Sequence, residues 1–300
     1  MALSTYPNNK LSEASPSFVE MYVPRENGRI YVRDYEGAEP AFVLMHGFPD
    51  NLQIYDYLIP ELLASGRRVV TFDFLGFGRS DKPTEARYSF KQQLGDLTAV
   101  IDSLRLGAIV PVVHDASGPA GLNFAIDHPN KVASIVILNC GFDNSPTARW
   151  PELIQVFASP ALKDLANAVL QSPEQFTWLL NFQRATFRKD LEDKHKARYD
   201  TFLGGIIDHN FLDVPSAAPA FAQMVAQFYD ELTRNTSRLA KLKALSIPAK
   251  IIWGENDVYI NVGVAQHYQN NLGNATLKVI AAGHWLQIDE PELVAKEMLS

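Results

Sequence analysis

Cysteine is nearly absent. The 300 residues hold one, Cys140, which excludes an intramolecular disulfide framework and any cysteine-based zinc cluster. Long apolar runs are missing as well: no uninterrupted stretch of about 20 apolar residues occurs, so no segment reads as a membrane-spanning helix. The opening segment MALSTYPNNKLSEASPSF has no apolar core of signal-peptide length. Positive charge is in deficit, with 27 Lys and Arg against 34 Asp and Glu and a net charge of −7. No basic run with interleaved aromatics offsets that balance, which argues against nucleic acid as a partner. Internal repeats and low-complexity tracts are absent too. What remains is a globular composition, 47% hydrophobic and 20% charged, with ample material for a core. A soluble cytoplasmic protein with no membrane partner is the expectation, built as one large domain or two small ones.

The polar residues up to about Ser17, with Pro7 and Pro16, read as a loose arm. Two short alternating runs follow at 18–24 and 28–37, with a turn at Asn27-Gly28 between them. An apolar run follows at 41–47, of the kind that suits a strand buried on both faces, and 68–76, 109–115 and 132–140 read as further strands. Helix-period stretches separate them at about 52–65, 88–105 and 118–128. This alternation predicts a parallel sheet with helices on both faces. From about 144 to 240 the rhythm breaks into a mostly helical block without strong strand candidates. Strand character returns at 249–257 and 276–284, separated by a helix over about 262–272 and followed by a closing helix near Pro291. A helical block inserted into an α/β alternation predicts a core with a cap.

Three residues stand where the apolar runs end: Asp115 after IVPVVH, Asp257 after AKIIWGEN and His284 after TLKVIAAG. In an open parallel sheet the carboxyl ends of the strands share one rim, where ligands bind. Nucleophile, acid, base is the chain order of the α/β-hydrolase triad. Ser117 is a rival nucleophile, although Asp-Ala-Ser-Gly-Pro is a poor match to Gly-x-Ser-x-Gly, and small size at a crowded turn explains it better. Glu255 is a rival acid, second to Asp257.

With HGFP (46–49), DFLGFGRSDKP (73–83), VVHDASGPAG (112–121), VILNCG (136–141), WGENDVYI (253–260) and AAGHWLQIDEP (281–291), the sequence resembles the α/β-hydrolase superfamily. It looks most like the aspartate-nucleophile branch that contains epoxide hydrolases and haloalkane dehalogenases. The likeness covers roughly 20–142 and 240–300. It implies an α/β-hydrolase fold: a core over 1–142 and 239–300, with a helical cap over 143–238. It implies Asp115 as nucleophile, His284 as base and Asp257 as the acid that orients His284. Backbone N–H groups of Phe48 and Ala116 would form the oxyanion hole. A carboxylate nucleophile displaces a leaving group at saturated carbon and gives an alkyl ester of its own side chain. His284 would then activate the water that cleaves this ester, and neither metal nor organic cofactor is needed.

The sequence departs from that branch at Ala116, where a Trp would donate to a leaving halide. Candidates for the leaving-group site lie in the helical block: Trp178 for its indole N–H, and Tyr229 and Tyr199 for their hydroxyls. His46 and His114 read as structural partners near the oxyanion loop. Asn139 reads as a loop-orienting residue, Asp73 and Asp81 as turn and sheet-edge contacts, and Cys140 as a small hydrophobe. The expected reaction is hydrolysis of a small apolar organic substrate by water, in a monomer or homodimer, with an epoxide ahead of a haloalkane. An ester or lactone hydrolase and a non-catalytic ligand-binding relative remain as alternatives.

Overall fold

A hairpin opens the sheet. In the computed structural model, which describes residues 16–300, β1 (Val19–Arg25) and β2 (Gly28–Tyr35) pair antiparallel. The chain turns through Glu26-Asn27, one residue before the expected turn, because Gly28 already pairs with Arg25. Most of the expected polar arm, residues 1–15, lies outside the described residues.

The apolar runs become β3 (Ala38–Met45), β4 (Arg67–Phe72), β5 (Val110–Asp115) and β6 (Ile135–Cys140), then β7 (Ala249–Gly254) and β8 (Ala275–Ile280). Spatially the order is β1-β2-β4-β3-β5-β6-β7-β8. β2 runs antiparallel to both of its neighbours, and every pair from β4 across to β8 is parallel. This is an eight-stranded, mostly parallel mixed sheet of the α/β-hydrolase type. β6 is buried along its whole length, and so is β5 up to its last residue, as unbroken Val/Ile/Leu runs require.

Helices α1 (Leu58–Ala64), α2 (Phe90–Ser103) and α3 (Gly118–Asp127) alternate with the strands. The helix expected over 52–65 is split. Residues Leu52–Tyr55 form a 3-10 turn, capped by the Asn51 side chain on Gln53 N–H at 2.9 Å and tied to the Asp73 carboxylate through Leu52 N–H at 2.8 Å. Pro60 then falls in the first turn of α1, where a missing N–H costs nothing.

Between β6 and β7 the chain inserts α4 (Glu152–Ala158), α5 (Lys163–Gln171), α6 (Pro173–Arg188) and α7 (Asp193–Arg198). It continues with α8 (Gly204–Leu212), α9 (Ala218–Val225) and α10 (Phe228–Thr236). A π-helical stretch, Tyr199–Leu203, joins α7 to α8. The insertion meets the core through aromatic rings: Phe221 stands edge-on to Phe48, with centroids 5.5 Å apart, and Phe157 and Phe211 pack behind it. Helices α11 (Leu239–Lys243), α12 (Val262–Asn271), α13 (Leu286–Asp289) and α14 (Pro291–Leu299) complete the core. No helix among the described residues is long and apolar enough to cross a membrane.

Candidate active site

Asp115 is the last residue of β5 and takes a left-handed backbone conformation, φ 50°. Such a conformation is uncommon outside glycine but best tolerated by Asp and Asn, and it turns the side chain out of the sheet edge. Two glycines let other segments crowd the turn. A Cβ at Gly47 would meet the Asp115 side chain at 2.4 Å, and one at Gly118 would meet the Gly141 carbonyl oxygen at 2.2 Å. Ser117 faces the other way. Its hydroxyl lies 2.8 Å from the His114 carbonyl and 3.1 Å from the Met45 carbonyl, and it accepts the His114 N–H at 2.8 Å. It is fully buried and serves as turn architecture.

Asp115, Asp257 and His284 meet at the carboxyl edge of the sheet. The His284 Nδ1 lies 2.6 Å from Asp257 Oδ2, and its Nε2 lies 3.6 Å from Asp115 Oδ1. β7 ends at Gly254 and β8 at Ile280, so Asp257 and His284 stand in the loops beyond the strands rather than at the strand ends. Beyond β8 Ala282 is completely buried, whereas the loop beyond β7 is polar and opens with the exposed Glu255 before reaching the buried Asp257. Asp257 is fully engaged. Its Oδ1 accepts the N–H groups of Tyr259 and Ile260 at 3.0 and 3.1 Å, and its Oδ2 accepts Asn139 Nδ2 at 2.9 Å. Asn139 also accepts the Gly254 N–H at 2.7 Å, so it orients the acid loop. Glu255 points into solvent, which leaves Asp257 as the carboxylate paired with the histidine.

The other oxygen of Asp115 accepts the Phe48 N–H at 2.7 Å, and the Ala116 N–H stands close enough to favour the charged carboxylate. Burial pushes the Asp115 carboxyl up from its ordinary value, opposed by His284 and by these two donors. Burial also acts to lower His284. The charges of Asp257, Asp115 and Asp50, together with the Asp257 hydrogen bond, outweigh it and leave the imidazole raised. Both neighbouring histidines are scaffolding. His46 Nδ1 lies 2.9 Å from the Gly47 carbonyl and its Nε2 accepts Phe74 N–H at 3.1 Å, which makes Nδ1 the protonated nitrogen. His114 Nε2 lies 3.0 Å from the His284 carbonyl, and burial holds its imidazole well below the usual range, hence neutral.

Above Asp115 opens a cavity of about 730 Å³, counting its mouth. Phe48, Phe90, Trp150, Phe187, Phe221 and Phe228 form much of its wall, and among the described residues no Lys or Arg contributes. Its polar side chains besides the triad are Gln183, Tyr259 and Glu231. Gln183 Nε2 donates to the Tyr259 hydroxyl at 2.6 Å, and that hydroxyl donates to Glu152 Oε2 at 2.5 Å.

The expected leaving-group residues lie elsewhere. Trp178 is 66% exposed, stacked on Phe182 on the outer face of the insertion. Tyr229 is 40% exposed and outside the cavity wall. Tyr199 is buried, but its ring packs on Trp285 in a side compartment, and its hydroxyl has no protein partner. All three occur on helices whose orientation depends on docking, which residue spacing alone does not set. Tyr259 and Gln183 went unnoticed in the sequence. So did Asp50, which follows HGFP and is fully buried. Asp50 accepts Trp285 Nε1 at 2.6 Å and Gly47 N–H at 3.1 Å, and burial pushes its carboxyl up to about 7.

Comparison with known proteins agrees with this geometry at the level of the fold. Residues 40–291 match the family described as alpha/beta hydrolase fold. The bifunctional epoxide hydrolase 2 of Sus scrofa is 27% identical over 85% of this chain, which spans about half (50%) of that protein's length. The haloalkane dehalogenase of Mycobacterium marinum is 38% identical, over 40% of this chain and 39% of its own. The crystal structure of an alpha/beta hydrolase fold protein from Burkholderia ambifaria superposes with a TM-score of 0.73 at 23% identity. That match covers 93% of this chain and 96% of that one.

Proposed function

The chain belongs to the alpha/beta hydrolase fold family, and from that premise we propose that it hydrolyses a neutral, apolar epoxide through an alkyl ester on Asp115. One observation carries this reading. The side chain at the strand-to-helix turn that faces both His284 and the oxyanion donors is a carboxylate, while the nearby hydroxyl of Ser117 is spent on the turn itself. The distant likeness to epoxide hydrolases, at 27% identity, supports the same choice of substrate class.

In the first half-reaction an Asp115 oxygen attacks a ring carbon, and the epoxide C–O bond breaks. The Tyr259 hydroxyl, in the cavity wall, turns its proton from Glu152 Oε2 to the alkoxide so formed. Burial and the Glu152 hydrogen bond push that hydroxyl up to about 12, so it rests protonated, and the Gln183 Nε2 donor steadies the phenolate against the neighbouring Glu152 carboxylate. In the second half-reaction His284 takes a proton from water and the hydroxide adds to the Asp115 carboxyl carbon. The resulting oxyanion lies on the Phe48 and Ala116 N–H groups. Collapse expels the diol and restores the carboxylate, and the imidazolium proton returns through solvent to Tyr259. Asp257 stabilises the imidazolium throughout. With the Asp115 carboxylate in the wall and, among the described residues, no Lys or Arg there, the cavity disfavours anionic substrates. A haloalkane would use the same two half-reactions, and the partial match to haloalkane dehalogenases keeps that second reading.

A single turnover in ¹⁸O-water, with enzyme in excess over epoxide, tests the mechanism. The new diol oxygen is expected to come unlabelled from Asp115, and the peptide holding Asp115 to gain ¹⁸O. Label appearing directly in the diol would show attack by water and remove the ester from the path.

The pH profile carries a second prediction. His284 must be neutral to take the proton from water, and its neighbours raise its pKa. Turnover is therefore expected to rise with pH along a limb whose midpoint lies above the ordinary histidine value of about 6.5. Asp50→Asn removes one of the charges holding the imidazolium and is expected to shift that midpoint down. Identical kcat–pH midpoints in the two proteins would show that Asp50 is not coupled to the base.

A further inference from the structure

Asn210 lies on α8 of the insertion, 1% exposed. Its side chain spends its hydrogen-bonding capacity on core backbone. The Oδ1 accepts the Gly78 N–H at 2.8 Å, and the Nδ2 donates to the Pro49 carbonyl at 3.0 Å and to the Asp50 carbonyl. Those two carbonyls directly follow Phe48, whose N–H holds the Asp115 carboxylate. The Phe48 ring is in turn pressed by Phe221 of α9. The insertion thus grips the oxyanion loop twice, once by a ring and once by an amide. From the core side, Gly47 N–H is pinned by Asp50 and Leu52 N–H by Asp73.

We propose that Asn210 is a positioning residue that couples the seating of the helical insertion to the placement of the Phe48 oxyanion donor. The proposal rests on the alkyl-ester reading of the site for its kinetic consequence, though not for its structural one. An amide is suited to this work because it offers a donor and an acceptor on one rigid plane, and here both ends meet core backbone groups, the Asp50 carbonyl among them buried. The two half-reactions make different demands on the loop. In the first, the Asp115 oxygen at Phe48 already carries its charge in the free enzyme. In the second, full negative charge returns to a neutral ester oxygen as water adds, and the donor must stand where that charge develops. A displaced loop therefore slows hydrolysis of the ester more than its formation.

The test compares Asn210→Asp and Asn210→Ala with wild type. Asp keeps the volume and the acceptor for Gly78 but sets a carboxylate against two carbonyls. Rapid-mixing kinetics with intact-mass detection would follow formation and decay of the alkyl-enzyme. Decay is expected to slow on the order of 10²-fold, the loss typical of removing one oxyanion donor, while formation changes by no more than about threefold. KM should fall with kcat as the ester accumulates. Gln227→Ala is the control. It cuts another contact of the insertion with the core, the bond from Gln227 Nε2 to the Tyr88 carbonyl at 3.0 Å, which involves no residue of the oxyanion loop, and both steps should keep their rates. Equal slowing of both steps in the Asn210 variants, or the same split in Gln227→Ala, would overturn the proposal.

Hydrogen exchange over the segment 46–55 supplies a readout that does not depend on the chemistry. Exchange there should quicken in the Asn210 variants while the sheet stays protected. If wild type forms no alkyl-enzyme but that exchange still quickens, the alkyl-ester reading fails and the coupling stands. Unchanged exchange would sink the coupling itself.

Discussion

Asp115→Ala is expected to lower turnover of every epoxide or haloalkane that the wild type accepts by on the order of 10⁴- to 10⁶-fold, the scale seen when the nucleophile is removed from enzymes that work through a covalent intermediate. No other side chain at the turn is placed to stand in. The Ser117 hydroxyl is held by the His114 and Met45 carbonyls and closes the turn from inside. Because Asp115 has a left-handed backbone, alanine also brings local strain, so Asp115→Asn belongs beside it. Asparagine tolerates that conformation and keeps the shape, while its amide oxygen is a far weaker nucleophile. Both variants should fold, as judged by thermal unfolding, and both should be inert. Nitrophenyl ester cleavage that survives in both would move the protein to the acyl-hydrolase class. A wild type that binds epoxides without turning them over, with affinity retained in Asp115→Asn, would identify a binding relative.

The second large effect is expected from His284→Gln. Ester formation needs the Asp115 carboxylate and a proton donor, whereas ester cleavage needs a base to make hydroxide. Removing the imidazole should therefore leave the first half-reaction running and slow the second by about 10³-fold or more, so that the enzyme stops after one event. Glutamine keeps a hydrogen-bonding group near Asp257, whose other partners are the Tyr259 and Ile260 N–H groups and Asn139. A mixed pool of epoxides and haloalkanes, read by intact mass and peptide mapping, also separates the two substrate classes. An epoxide adds its whole mass to the peptide holding Asp115, and a haloalkane adds its mass less HX. A folded variant that gains no adduct across a broad pool would remove Asp115 from the role of nucleophile.

Much of the architecture is legible in local pattern. The largely apolar runs over 109–115 and 132–140 mark strands covered on both faces, because Val and Ile fall on both sides of each strand. The sequence His-Asp-Ala-Ser-Gly after such a run marks a sharp strand-to-helix turn, since small residues and a φ-tolerant Asp are what that turn requires. The strand ends are less legible. Asp257 and His284 lie three and four residues beyond Gly254 and Ile280 in loops that bury them, so burial does not stop where the strand pairing does.

The helical block shows the limit most clearly. Trp150 and Trp178 look alike as aromatics in a helical stretch, yet one lines the cavity and the other lies open on the surface. Which face a helix of the insertion turns inward is set by its packing on neighbours, and its own period is the same either way. The same reason separates what the sequence alone determined from what it did not. The α/β alternation, the helical insertion and the chain order of Asp115, Asp257 and His284 follow from contacts between near neighbours and from burial along single strands. The cavity wall, the Gln183–Tyr259–Glu152 chain, the buried Asp50–Trp285 bond and the Asn210 grip on the oxyanion loop join residues far apart in the chain. Only the tertiary structure decided those. Each is a polar group whose desolvation is tolerable only once its distant partner has arrived, and nothing in its immediate neighbours announces that partner.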